Sequence, residues 1–180
     1  MSRQYWISPL PPFHIADGTA YTGTAAIGDI SPAPAIVIPA NALEIGSRLE
    51  FTCLGRFTTT ATQGTIIVGI YIAPTATAIA AGQAIAATAA LTPLASKTNQ
   101  TWRLTGDASV RAVGSGTAAT VIGGLEVSNI TALATDMAPA TAPATLGFDS
   151  TVANKVMIGV TPSVTTGSWQ AHYFGVRLVN

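Results

Sequence analysis

The side chains able to do chemistry are few and far apart in this sequence. His14 lies in a proline-rich opening segment and His172 lies close to the C-terminal end. Neither has His, Cys or carboxylate neighbours at the spacing of metal ligands, and no G-x-S-x-G motif marks a nucleophilic serine. Cys53 is the single cysteine, for which we expect a buried, inert thiol. We therefore predict that the protein is not an enzyme and has no metal or cofactor site.

One glycine-rich segment imitates a nucleotide-binding loop. Residues 114–119, GSGTAA, match the G-x-G-x-x-A pattern, and Asp136 lies about twenty residues further on, where the pattern requires an acid. Such a loop holds a pyrophosphate only when its last small residue opens a helix. Another β-like run, residues 120–128, follows here instead. The segment is therefore expected to be a hairpin turn.

Charge is scarce and balanced along the chain. Charged residues make up 9% of the sequence, against about 25% in ordinary soluble domains, with eight basic and eight acidic side chains. This balance disfavours surfaces that neutralise nucleic-acid phosphates or anionic lipids. Alanine-rich segments are interrupted well before the roughly 20 apolar residues that a membrane helix needs. We expect no nucleic-acid partner, no membrane partner and no secretory signal, and hence synthesis in a cytosol.

The first 19 residues read as an extended arm. Their prolines exclude a helix and favour extended or polyproline-like backbone. The arm also carries large apolar side chains that need a surface to lie on, namely Tyr5, Trp6, Leu10 and Phe13. Two alternatives remain open, because the arm would serve equally well as a strap over the chain's own domain or as a contact with a neighbouring subunit.

The rest of the chain, residues 20–180, reads as one all-β domain. Short Val, Ile, Thr and aromatic-rich runs alternate with a period of two and are separated by Gly, Pro, Asn and Asp, which predicts an antiparallel β-sandwich. Residues 48–57 show the clearest alternation. A tight connection at Gly106-Asp107 is expected to separate two strands, and residues 131–151 are expected to form a long loop.

Two predicted strands, residues 66–72 and 167–179, are apolar on both alternating faces. One antiparallel sandwich covers a strand on one face only, so the other face requires a second burial surface. The low charge favours a subunit interface, since homo-oligomer interfaces are depleted in charge. The residues expected to face it are Ile67, Tyr71, Phe174, Val176 and Leu178.

Several segments carry a resemblance to known proteins. Residues 38–60 fit a pattern ANxLxxGxxLxxxxxGxxTT that includes Asn41, Leu43, Gly46 and Leu49. Residues 100–114 fit WxLxxxxxVRxxG through Trp102, Leu104, Val110, Arg111 and Gly114. A C-terminal strand then follows a loop of small residues. In this order the segments resemble a group of virion proteins of tailed double-stranded DNA bacteriophages.

The resemblance implies a jelly-roll-like, commonly trimeric β-domain on the outside of the phage particle. The preferred hypothesis is a capsid decoration (cement) protein, a homotrimer that binds the major capsid protein on the outer capsid surface, with the N-terminal arm in contact with the shell. The alternative is a tail- or head-fibre-associated module that binds host-surface carbohydrate. Trp169 and Tyr173 would be its aromatic platforms.

Overall fold

The chain folds into two antiparallel β-sheets packed face to face. The computed structural model describes residues 8–9, 16–23, 25–131 and 146–179. Over these ranges the only helical element is a 3₁₀ turn at Ile79–Ala81. The all-β sandwich predicted from the sequence is confirmed.

The strands are short at the start of the chain and mostly long from β4 onward. They are β1 (Ser8–Pro9), β2 (Gly28–Asp29), β3 (Ile36–Ile38), β4 (Arg48–Thr59), β5 (Ile66–Pro74), β6 (Gln83–Ala87), β7 (Gln100–Ala112), β8 (Ala119–Ser128), β9 (Leu146–Phe148), β10 (Asn154–Pro162) and β11 (Gly167–Val179).

The chain crosses repeatedly between the two sheets. Sheet I has the order β1-β11-β4-β7-β8-β9, and sheet II has the order β2-β10-β5-β6, with β3 also paired to β10. The chain therefore passes from β3 in sheet II to β4 in sheet I, returns for β5 and β6, and crosses again before β7, β10 and β11. Residues distant in sequence become neighbours in this way.

The core lies between the sheets and follows the predicted alternation. β4 turns Leu49, Phe51, Cys53 and Phe57 inward, where all four are buried. Phe57 stacks on Trp169 of β11 with ring centroids 4.8 Å apart. Cys53 is buried, as expected, and burial raises the pKa of its thiol, which favours the protonated form.

The expected turn at Gly106-Asp107 is wrong, because β7 runs straight through it as one strand. Trp102, Leu104, Ala108 and Val110 share one inner face, so the alternation never changes phase at the glycine. Gly106 pairs with Leu125 of β8, where an added Cβ would lie 2.6 Å from the carbonyl oxygen of Gly124. The glycine therefore permits close strand packing and does not turn the chain.

β11 is apolar on one face only, contrary to the expectation. Its register against β4 shifts between Ala171 and Tyr173, so that His172 is the extra residue of a β-bulge. The bulge places Phe174, Val176 and Leu178 on the same inner face as Trp169, in the chain's own core. Phe174, Val176 and Leu178 therefore face the chain's own core and not a second burial surface.

The second face of β5 is covered by the chain itself. Tyr71 is 6% exposed and clusters with Ala73, Ile79 and Met157 on the outer side of sheet II. Ile27 packs against this small cluster from the segment before β2. Ile67, on the same face, is partly buried. These strand faces consequently need no second subunit to cover them.

Candidate functional site

The arm residues singled out in the sequence, Tyr5, Trp6, Leu10 and Phe13, lie outside the described residues. Two described parts of the same segment follow the edge of β11. Ser8 and Pro9 pair with Leu178 and Arg177, and the Gly18 amide donates to the carbonyl oxygen of Ala171 at 2.9 Å. These parts therefore lie on the chain's own sheet and cover its edge strand, a position that otherwise invites pairing with another chain.

The glycine-rich segment forms a turn, as predicted. β7 ends at Ala112 and β8 begins at Ala119, with no helix between them, whereas Asp136 lies outside the described ranges. In the described part of the chain no group of three or more His, Cys, Asp or Glu side chains is placed to hold a metal ion. No helix within those ranges has the length and apolar character that crossing a membrane requires.

The two proposed aromatic platforms have different surroundings. Trp169 is 2% exposed in the core. Tyr173 is 45% exposed on the outer face of sheet I, beside Leu54 of β4, which is 41% exposed. Of the two rings, only that of Tyr173 is accessible to a ligand.

Most charged side chains of the described chain lie on the outer face of sheet I or at its edge. They form a ladder in which Arg48 contacts Asp107 (Nε to Oδ2, 3.2 Å) and Glu50 (Nη1 to Oε1, 3.7 Å). Arg177 reaches the second oxygen of Glu50 at 3.6 Å. The remaining charges of this surface, which we call the charged face, are Asp17, Arg56, Arg103, Arg111 and Glu126.

A shallow groove of about 360 Å³ crosses the charged face over β4, β7 and β8. Its polar walls are Arg48, Glu50, Thr105, Asp107 and Glu126, and its floor includes Gly106, Gly124 and Leu125. An added Cβ at Gly124 would meet no atom within 4 Å, so the missing side chain leaves real space there.

A small polar cluster joins the N-terminal segment to the bulge. The Asp17 carboxylate contacts His172 (Oδ1 to Nδ1, 2.8 Å) and Arg56 (Oδ2 to Nη2, 3.5 Å). The hydrogen bond from His172, with a smaller contribution from the Arg56 guanidinium, lowers the pKa of Asp17. The cluster joins the segment around Asp17 to β4 and β11 and offers no nucleophile or metal set. His14, the other histidine, lies outside the described ranges.

The second group of exposed apolar side chains lies at one end of the sandwich. Val37, Ile45, Val113 and Val152 are 39%, 70%, 40% and 40% exposed. The loops that carry the last three are tied together, because the Gly46 amide donates to the Val110 carbonyl and the Ser150 amide donates to the Gly114 carbonyl, both at 2.9 Å. Val37 lies on β3, opposite Lys155 at the start of β10. We call this surface the loop end.

The loop end is built by residues that the resemblance picked out. Gly46 has a φ of +93°, a left-handed conformation that favours glycine. Asn41 has a φ of 57°, and its amide donates to the Ser150 carbonyl at 2.9 Å. Leu43, between them, is buried. These positions shape the loops and present Ile45 to solvent.

Sequence reasoning singled out Tyr173 but missed the groove and the loop end. Both are assembled by strand register and loop contacts that a single sequence does not display. No protein-family model, curated protein or solved structure matches the chain.

Proposed function

We propose that this protein is a phage capsid decoration protein that docks on the outer surface of the shell through the loop end. The observation that carries the proposal is the grouping of four exposed apolar side chains at one end of the sandwich. Clustered apolar exposure of this kind is typical of interaction surfaces, whereas isolated exposed apolar residues are ordinary.

The position of β1 supports a contribution of the N-terminal arm to the same surface. Ser8 pairs with Leu178, which pairs with Leu49 near the start of β4 and therefore close to the loop that carries Ile45. Arm and loops would then engage the major capsid protein together. Such binding stabilises a mature shell by mass action, without chemistry, because the ligand favours the state that it binds.

The distribution of charge also supports docking through the loop end. The charged face lies to the side of the loop end and remains hydrated, while much of the other surface presents Ala, Thr and Gly. A charge-poor surface loses little solvation when a neighbour covers it. The jelly-roll interpretation is consistent with the repeated crossing between sheets, and the homotrimer is drawn from the resemblance alone.

The test measures cosedimentation of the purified protein with capsids of the phage that encodes it, prepared without the decoration protein. Ile45→Asp and Val113→Asp are expected to weaken binding by roughly tenfold or more, because each introduces a charge into an apolar contact. Leu54→Asp, which changes an exposed apolar residue of the charged face, is the matched control and should bind as the wild type does.

A truncation tests the arm in the same assay. Removal of residues 1–15 leaves the contacts of Gly18 with β11 in place and is expected to yield a folded protein with weakened shell binding. Full binding by both Asp variants and by the truncated protein would refute docking at the loop end.

The second candidate function is binding of host-surface carbohydrate by a tail- or head-fibre-associated module, which the exposure of Tyr173 favours.

A further inference from the structure

The Tyr173 side chain extends along β11 on the charged face. A Cβ added at Gly175, two residues on, would be 2.5 Å from the Tyr173 hydroxyl oxygen and 3.1 Å from Cζ. Only glycine at position 175 therefore allows the phenol to extend over the strand. The exposed Leu54 lies beside the tyrosine on β4. Together they form a small apolar surface within a polar face, as suits the C–H groups of a sugar ring.

Hydrogen-bonding side chains continue from this apolar surface toward the groove. Four residues lie side by side on neighbouring strands of sheet I, namely Gly175 on β11, Thr52 on β4, Thr105 on β7 and Glu126 on β8. Neighbouring strands are about 4.8 Å apart, so this row extends roughly 14 Å from the tyrosine hydroxyl to Glu126. The distance suits a short chain of sugars. Among the described residues, Glu126 has no ion-pair partner.

The charges of this face disfavour an ionic ligand. The ladder formed by Arg48, Glu50, Asp107 and Arg177 alternates in sign, so a polyanion or a polycation would meet like charges wherever it lay. Carboxylates can instead accept hydrogen bonds from uncharged hydroxyl groups, guanidinium groups can donate to them, and Thr hydroxyls can do both. The groove volume of about 360 Å³ lies near the lower end of the roughly 300–1,000 Å³ range of ligand sites.

We propose that the outer face of sheet I binds a short neutral oligosaccharide, with Tyr173 and Leu54 contacting a sugar ring and Thr105, Asp107 and Glu126 binding hydroxyl groups in the groove. This inference names the site of the second candidate function and rests on it. It does not depend on the decoration role, because the loop end is a different surface.

The experiment uses the labelled full-length protein on an array of short neutral oligosaccharides, with sialylated and sulfated members for comparison. We expect retention by neutral members. The array then compares Tyr173→Ala, which removes the ring, with Gly124→Gln, which fills open space in the groove. Each should weaken binding to the retained neutral sugar by roughly tenfold or more.

Ile45→Asp at the loop end is the matched control and should leave sugar binding unchanged. An unfolding midpoint equal to that of the wild type establishes that a variant is folded. If Gly124→Gln is not folded, Tyr173→Ala alone tests the proposal. Retention of charged members only, retention of no neutral member, or undiminished binding by Tyr173→Ala would overturn the proposal. Capsid cosedimentation of Tyr173→Ala separates this result from the decoration role, which predicts unchanged shell binding.

Discussion

Two glycines of sheet I have opposite surroundings. Gly55 on β4 faces the core, where an added Cβ would lie 2.3 Å from the Gln170 carbonyl oxygen and 2.6 Å from Nε1 of Trp102. Gly124 on β8 faces solvent with open space around it. The same residue type therefore has two functions here, since one glycine allows the indole to pack against the backbone and the other leaves a groove.

Alanine substitution distinguishes the two glycines. Gly55→Ala is expected to lower the free energy of unfolding by about 1–3 kcal/mol, because the new methyl group overpacks the core. Gly124→Ala adds the same methyl group in open space and should stay within about 0.5 kcal/mol of the wild type. Denaturant midpoints measure both, and a Gly55→Ala protein as stable as the wild type would contradict the close contact with Trp102.

At the scale of elements, the β-bulge at His172 decides which side chains are buried. Before the bulge Trp169 and Ala171 face inward, and after it Phe174 and Val176 do so. A strand without the extra residue would present one of these sets to solvent, because side chains alternate strictly along regular strands. The bulge is therefore a requirement of the core and not a local irregularity.

Deletion of His172 should prevent folding for this reason. His172→Ala removes the same imidazole and the same contact with Asp17 but keeps the extra residue, so it should fold with a modest loss of stability. Circular dichroism and the near-ultraviolet signal of the buried Trp residues report the outcome. A folded, cooperatively unfolding deletion variant would show that β11 tolerates either register.

The sequence predicted the elements whose alternation is unbroken, such as β4 and β8, to within a few residues. It failed where a local signal was ambiguous. Gly106-Asp107 has the composition of a turn, yet its pairing with β8 keeps the strand straight. The bulge at His172 has no signature in the chain itself, because it exists only relative to β4. The groove depends on the same long-range register, which explains why Tyr173 was found and Glu126 was not.

At the scale of the whole molecule, the chain itself covers the outer face of β5 at Tyr71 and the single apolar face of β11. Neither strand therefore requires a subunit interface. A trimer, if formed as the resemblance implies, must use surfaces other than the outer face of sheet II that Tyr71 and Ile79 already occupy.

Light scattering behind size exclusion, across a dilution series, tests this assembly. The decoration hypothesis predicts the mass of three chains at every concentration, because a virion trimer has to persist when diluted. The Leu54→Asp variant should have the same mass, since Leu54 belongs to the charged face. A mass of one chain throughout would remove the trimer from the proposal and leave docking at the loop end to be judged by cosedimentation.

The pairing of the first strands has a consequence for how the protein is made. β1, β2 and β3 pair with β10 or β11 within the described chain, so their partners leave the ribosome long after they do. These three strands must wait, unpaired, until β10 and β11 have been synthesised, and closure of such distant contacts is intrinsically slow. The sandwich therefore closes only after β10 and β11 have been made, and a chain that stops before β10 leaves β1, β2 and β3 without partners and prone to aggregate.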